Sequence, residues 1–288
     1  MNKIGLGTAQ FGSNYGINNK KGKVSEEEAF EVFDFASANG VDLLDTALAY
    51  GESEITIGNY IRKRGRKFKI VSKLPSCSAS EISRLFNSSL NNLAVDDLYG
   101  YLVHDFEQLE KYPGTWKILE SLKADGKIKK IGFSLYYPKQ LVSILSRNIK
   151  FDIIQLPYNI FDRRFGPYFP ELADKGVEIH TRSVFLQGLV FKKPDALGGY
   201  FEKIKNKVSS LHSICRQRGI PLEALCINFA VLNGYIKKVI IGVDCLNNLR
   251  DAVLSSRYIE NVQEIADRLD IFTEDDEKII LPLNWISR

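Results

Sequence analysis

The sequence predicts an α/β fold, a closed (β/α)8 TIM barrel built by its 288 residues as a single domain, 1–288. Three observations carry this. Eight short runs rich in Ile, Val and Leu lie along the chain without strict alternation, the pattern of parallel strands covered on both faces. Amphipathic helical stretches separate them, and eight strand-then-helix units is the count of this barrel. No linker divides the chain, and α/β barrels routinely form one domain at about this length.

The strands are expected at Ile4–Gly7, Val41–Leu44, Lys69–Ser72, Leu98–Val103, Lys130–Phe133, Ile153–Leu156, Val177–His180 and Lys238–Ile241. After the first, Ser25-Glu26-Glu27-Glu28 is a capping box opening a helix. Phe30, Val32 and Phe33 give that helix an apolar face, and Gly40 closes it. Ser80 is read as the opening of a second helix, with Ile82, Leu85, Phe86 and Leu93 on its buried side. Pro113, Pro138 and Pro221 stand at or near helix starts, where a missing N–H costs nothing. Gly65, Gly126, Gly176 and Gly219 stand at helix ends. The seventh connection is long. It holds a loop over Phe191–Tyr200 and two helices over Phe201–Arg218 and Pro221–Asn233. A doubly wound open sheet is the main competitor, but Gly5-Leu6-Gly7-Thr8 lacks the third glycine of its phosphate turn.

Composition excludes several classes. Hydrophobic residues make 44% of the chain, enough to offset chain entropy, so disorder is not expected. A net charge of +4 is too small for a nucleic-acid protein. The densest basic run, Arg62-Lys63-Arg64 with Arg66-Lys67, falls at a helix end, where cations suit the dipole. Cys77, Cys215, Cys226 and Cys245 form no C-x-x-C pair and only three histidines are present, so no metal site is expected. The sparse cysteines suit a reducing cytoplasm. The start, Met1-Asn2-Lys3-Ile4-Gly5, has no apolar segment of a signal peptide, and no run is long enough to span a membrane.

In such a barrel the active site gathers at the C-terminal ends of the strands. The polar residues there are Asp45 and Tyr50, Lys73, His104 and Asp105, Ser134, Gln155 with Tyr158 and Asn159, then His180, Arg182 and Ser183, and finally Gly242 and Asp244. Asp45, Tyr50, Lys73 and His104 make a coherent chemical set. A phenol is a poor acid at neutral pH, and a nearby ammonium lowers its pKa. A carboxylate holds the ammonium charged, and an imidazole can donate to a developing oxyanion. Together they can protonate an oxygen whose carbon receives hydride. Side chains cannot supply hydride, so a nicotinamide is implied. Each residue also has a plain structural reading: a solvated lysine head, a satisfied histidine, a packed tyrosine, a capping aspartate.

The residues that carry a family resemblance are Ile4-Gly5-Leu6-Gly7-Thr8, the stretch Leu43-Leu44-Asp45-Thr46-Ala47-Leu48-Ala49-Tyr50-Gly51, Val71-Ser72-Lys73-Leu74, and the run Asp97 to His104. Lys130-Ile131-Gly132-Phe133-Ser134 and Gln155-Leu156-Pro157-Tyr158-Asn159 extend it. The chain resembles an aldo-keto reductase over nearly its whole length. The resemblance implies that Tyr50 is the general acid, Lys73 tunes it, Asp45 pairs with Lys73, and His104 orients and polarises the carbonyl. Ser134 and Gln155 match positions that hold the nicotinamide carboxamide, with Thr8 and Asp45 beside them. Arg182 falls in the slot that stacks on the nicotinamide ring. Ser183 to Leu186, Phe185 included, match the pyrophosphate and adenosine region, as do the Gly242 turn and the helix after it with Asn248 and Asp251. The resemblance implies NADPH as cofactor, with NADH possible, and a small-molecule carbonyl substrate.

This sequence departs from the family pattern in places. Leu135 stands where Asn usually bonds the carboxamide. The 2′-phosphate region reads Gly242-Val243-Asp244-Cys245 and then Asn248, with Arg250 the one nearby cation. Asp251-Ala252 replaces the pair that faces adenine. The N-terminal hairpin of many members is expected to be absent, or reduced to two residues. Phe11, Tyr15, Tyr136, Tyr137, Phe161 and Tyr168 are expected around the substrate pocket, and Trp285 is either a pocket wall or surface packing. Arg163-Arg164 is read as a structural pair. Two further functions stay open: a cofactor-binding regulatory subunit with weak turnover, and a barrel enzyme using Lys73 as a Schiff-base amine.

Overall fold

The computed structural model describes residues 2–16 and 22–285. Met1 and residues 286–288, at the ends of the expected 1–288 unit, lie outside them. Eight parallel strands close into a barrel in the order β1-β2-β3-β4-β5-β6-β7-β8. They are β1 Ile4–Gly7, β2 Leu43–Asp45, β3 Lys69–Leu74, β4 Leu98–Val103, β5 Ile128–Ser134, β6 Ile153–Pro157, β7 Glu178–Arg182 and β8 Ile236–Gly242. The ring closes through pairing of Gly5 with Ile240 and Gly7 with Gly242.

The expected strands coincide with β1 and β4. β2 and β7 begin later than expected, for one reason. Val41 N–H donates to Ala36 O at 3.0 Å and Val177 N–H to Leu172 O at 2.9 Å, so each valine closes the helix before it. Hydrophobicity alone does not separate that position from a strand start.

Leu43, Val71, Leu102, Ile153 and Ile240 form a compact cluster inside the barrel. Glycines open room for them. A Cβ on Gly5 would lie 2.6 Å from Ile240 Cδ1, and one on Gly132 would lie 1.7 Å from Ile153 O. A larger core fills the space between strands and helices. The barrel floor is polar. Glu178 accepts from Tyr99 Oη at 2.8 Å, pairs with Lys130, and lies 2.9 Å from His180 Nε2. His180, a strand-end candidate in the sequence, therefore belongs to this lower network.

Helix Glu26–Ala38 is capped by Ser25, whose Oγ accepts from Glu28 N–H at 3.2 Å. The second cap is Ser78 rather than Ser80. Its N–H donates to the Glu81 carboxylate at 3.1 Å, a turn before helix Ile82–Leu93. Pro138 opens helix Pro138–Ser146, and Pro221 immediately precedes helix Leu222–Val231. The basic run at the end of helix Ser53–Arg64 faces acids: Lys63 meets Glu26, Arg64 and Lys67 meet Asp34, and Arg66 meets Asp97. Among the described residues no helix is long and apolar enough to cross a membrane, and no cluster of His, Cys, Asp and Glu could hold a metal ion.

Candidate active site

Three neighbouring strands deliver the four central side chains. Asp45 is the last residue of β2, Lys73 lies near the end of β3, and His104 directly follows β4. Tyr50 sits on the turn after β2, where its N–H donates to Ala47 O at 2.9 Å and its carbonyl accepts from Ser53 N–H at 3.2 Å. Gly12 packs against this turn so closely that a Cβ there would lie 1.7 Å from Tyr50 O. Parallel pairing aligns the strand ends, so side chains distant in sequence converge.

The Lys73 ammonium is fully buried. It donates to Asp45 Oδ2 at 2.7 Å and to Thr46 O at 2.8 Å, and lies 4.9 Å from the Tyr50 ring centre. Gln155 Nε2 donates to Asp45 Oδ1 at 2.6 Å. Asp45 is thus clamped between an ammonium and an amide. Thr8 backs the same strand end, its hydroxyl donating to Asp45 O at 3.0 Å. The Tyr50 and His104 rings meet edge to face at 5.8 Å.

Electrostatics give each group a definite form. Burial works against the charge on Lys73, but Asp45 and Tyr50 outweigh it and raise its pKa, so the amine stays protonated. Burial raises the Tyr50 hydroxyl above its ordinary range, and Lys73 pulls the other way without prevailing. The ammonium therefore moderates the phenol rather than lowering it outright, as the sequence reading expected. Burial, Lys73 and Arg182 depress His104 to about 3, so its imidazole is neutral.

Above this set opens a cavity of about 510 Å³, within the range of small-molecule sites. Thr8, Asp45, Tyr50, His104, Ser134, Arg182, Ser183, Phe185, Gly242, Asn248 and Asp251 all line it. Lys73 and Gln155 lie buried beneath rather than on its wall. Arg182 stacks on the Tyr136 ring, its Cζ 4.1 Å from the ring centre, and donates to Leu135 O at 2.9 Å. Leu135, which lacks the expected amide side chain, contributes its backbone instead.

Other expected pocket residues lie elsewhere. Of the six aromatics only Tyr15 and Tyr136 line the cavity. Phe11 packs on Phe33 and Phe161 on Phe272, both in the core. Trp285 packs edge to face on Phe201 and donates from Nε1 to Ile279 O at 3.1 Å, as structural packing. Arg163 pairs with Asp270, and Arg164 with Asp162 and Glu277. Arg250 lies over the Phe35 ring at 5.7 Å.

Sequence reasoning missed Gln10, Gln187 and Glu223, all on the cavity wall. Gln187 Nε2 donates to Tyr15 Oη at 3.0 Å, joining the loop after β7 to the loop after β1. Ser183, Leu186 and Gln187 have φ of 63°, 46° and 51°. Three non-glycine residues in that region mark a loop held by its surroundings. No residue type in Ser183–Gln187 announces this in advance.

The sequence model of the Aldo/keto reductase family matches residues 3–274. The chain is 22% identical to Uncharacterized oxidoreductase YqkF of Bacillus subtilis, over 96% of this chain and 98% of that one. It is 35% identical to Glyoxal reductase of the same organism, over 56% of this chain and 59% of that one. Among solved structures, aldo-keto reductase AKR11C1 from Bacillus halodurans, in its holo form, superposes with a TM-score of 0.76 at 19% identity, covering 96% and 94% of the two chains.

Proposed function

The chain belongs to the aldo/keto reductase family and is an oxidoreductase, and we propose that it passes hydride between a nicotinamide dinucleotide and a small aldehyde or ketone, with Tyr50 as proton donor. The observation that carries this is the buried Lys73 ammonium, held by Asp45 beneath the Tyr50 phenol and the His104 imidazole, which meet edge to face on the cavity wall.

The residues fit a nicotinamide. Among the described residues Gln155 Oε1 is buried without a hydrogen-bond partner, while its Nε2 is committed to Asp45. An orphaned buried acceptor is costly, and a carboxamide N–H beside Ser134 is the donor it lacks. Gly242 lines the cavity, and a Cβ there would lie 2.6 Å from Gln10 Nε2, so its lack of a side chain lets Gln10 pack against this turn. Ser134 and Gln155 would hold the carboxamide, and Arg182 and Ser183 the ring and the first phosphate. When bound, this group supplies the hydride.

The protein's own side chains do the rest. Tyr50 gives its hydroxyl proton to the carbonyl oxygen as negative charge develops there. Lys73 stabilises the phenolate that remains, and Asp45 keeps the ammonium fixed. His104, being neutral, donates one N–H to the same oxygen and sets the approach of the carbonyl. Tyr15 and Tyr136 wall off water. The raised Lys73 pKa speaks against the Schiff-base reading, because an ammonium with no lone pair is no nucleophile. The chain works as one domain, and its four free thiols suit the cytoplasm.

The test is consumption of reduced nicotinamide, followed at 340 nm, with a panel of aldehydes, ketones and sugars. Turnover with any of them supports the reading. Tight cofactor binding with no turnover on the whole panel favours the regulatory subunit instead.

A further inference from the structure

The cavity is charged unevenly. Glu223, Asp244 and Asp251 line the part formed by the turn after β8, the helix Leu246–Leu254 that follows it, and the start of helix Leu222–Val231. Among the described lining residues Arg182 is the only Lys or Arg. Arg182 turns the other way, reaching across β6 to Leu135 O and the Tyr136 ring. Arg250, on the helix after β8, lies over Phe35 instead.

Asp244 is also poised as an acceptor. Asn248 Nδ2 donates to its Oδ1, which orients the carboxylate one turn into the helix. Its Oδ2 has no partner among the described residues. A fixed carboxylate suits a vicinal diol, whose two hydroxyls are donors. The same carboxylate repels a phosphate dianion, and a half-buried site screens that repulsion poorly. The positive end of the helix, which would otherwise favour phosphate, is already countered by Asp244 itself.

We propose that Asp244, supported by Glu223 and Asp251, makes this enzyme select the dinucleotide with a free ribose 2′-hydroxyl, NADH, over its 2′-phosphorylated counterpart. The inference rests on reading the cavity as a nicotinamide site, which the unpartnered Gln155 Oε1 supports independently of any acidic residue. It reverses the NADPH preference implied by family resemblance.

Calorimetric titration of nucleotide-stripped, full-length protein with NADH and with NADPH tests it, without any substrate. The wild type should bind NADH at least about tenfold more tightly. Asp244→Asn keeps the shape and the Asn248 contact, and should narrow the ratio. Asp244→Arg should invert it, and circular dichroism checks that each variant is folded. NADPH binding as tightly as NADH to the wild type, or an unchanged ratio in both variants, overturns the inference and leaves the proposed function standing. Binding of neither nucleotide overturns both.

Discussion

Replacing Asp45 by Asn removes one charge from a buried pair. Lys73 is fully enclosed, 2.7 Å from Asp45 Oδ2. The oxygens left around it are then all neutral: Thr46 O at 2.8 Å, the Tyr50 hydroxyl and the amide oxygen of the substituted side chain. Stripping one partner from a buried ion pair costs about 3–5 kcal/mol. A protein of this length has an unfolding entropy of roughly 0.6 kcal/mol per degree, so the melting temperature should fall by about 5–8 °C. The double variant Asp45→Asn/Lys73→Met removes both charges and should regain most of that loss, because the penalty belongs to the unpaired ammonium. Activity should be low in both: the double variant strips Tyr50 of its cationic neighbour, and Asp45→Asn leaves Lys73 without the carboxylate that fixes it. Scanning calorimetry on the two single variants and the double completes the cycle. A single variant as stable as wild type, or a double variant as unstable as the sum of the singles, would refute the coupling.

Two further predictions concern the groups around Tyr50. His104 is held near 3 in the folded chain, whereas an unfolded histidine titrates near 6.5. Between those values the unfolded chain takes up a proton that the native state does not. Stability should therefore drop as pH falls from about 6.5 towards 3, by at most about 1.4 kcal/mol per pH unit from this residue. In urea titrations from pH 7 to 4, His104→Gln should flatten that slope, and an unchanged slope would show that His104 does not carry it. Gly12→Ala forces a Cβ onto Tyr50 O, 1.7 Å away as the chain now stands. The displaced turn should lower kcat by tenfold or more, on the order of the cost of misplacing a catalytic group by an ångström. Wild-type kcat in that variant would show that the turn adapts freely.

Much of the fold was legible because parallel strands must be buried on both faces. Ile4–Gly7 and Leu98–Val103 stand out as unbroken apolar runs, and the structure has these bounds. Val41 and Val177 misled because an apolar residue that packs after a helix end reads the same as one that starts a buried strand. Ser80 misled for a local reason: Ser78 and Glu81 have the spacing of a capping box, and two serines compete for the role. At the site, Asp45, Lys73 and His104 were readable from strand ends alone, since topology brings those ends together. The long loop after β7 was not. Gln187, in a left-handed stretch of backbone, reaches Tyr15 across 172 residues, and hydrophobic periodicity says nothing about such turns. Of the six expected pocket aromatics, Tyr15 and Tyr136 line the cavity and the other four do not. Phe11 and Phe161 are apolar enough for the core, and the core took them.

On the proposed mechanism Tyr50 gives up the proton while other residues hold the cofactor. Tyr50→Phe tests it most directly, by measuring nucleotide affinity and single-turnover reduction on the same preparation. Affinity should stay within about twofold of wild type while the rate falls by roughly 10²–10⁴-fold, the usual worth of a general acid. A variant that still reduces its substrate at the wild-type rate would contradict it.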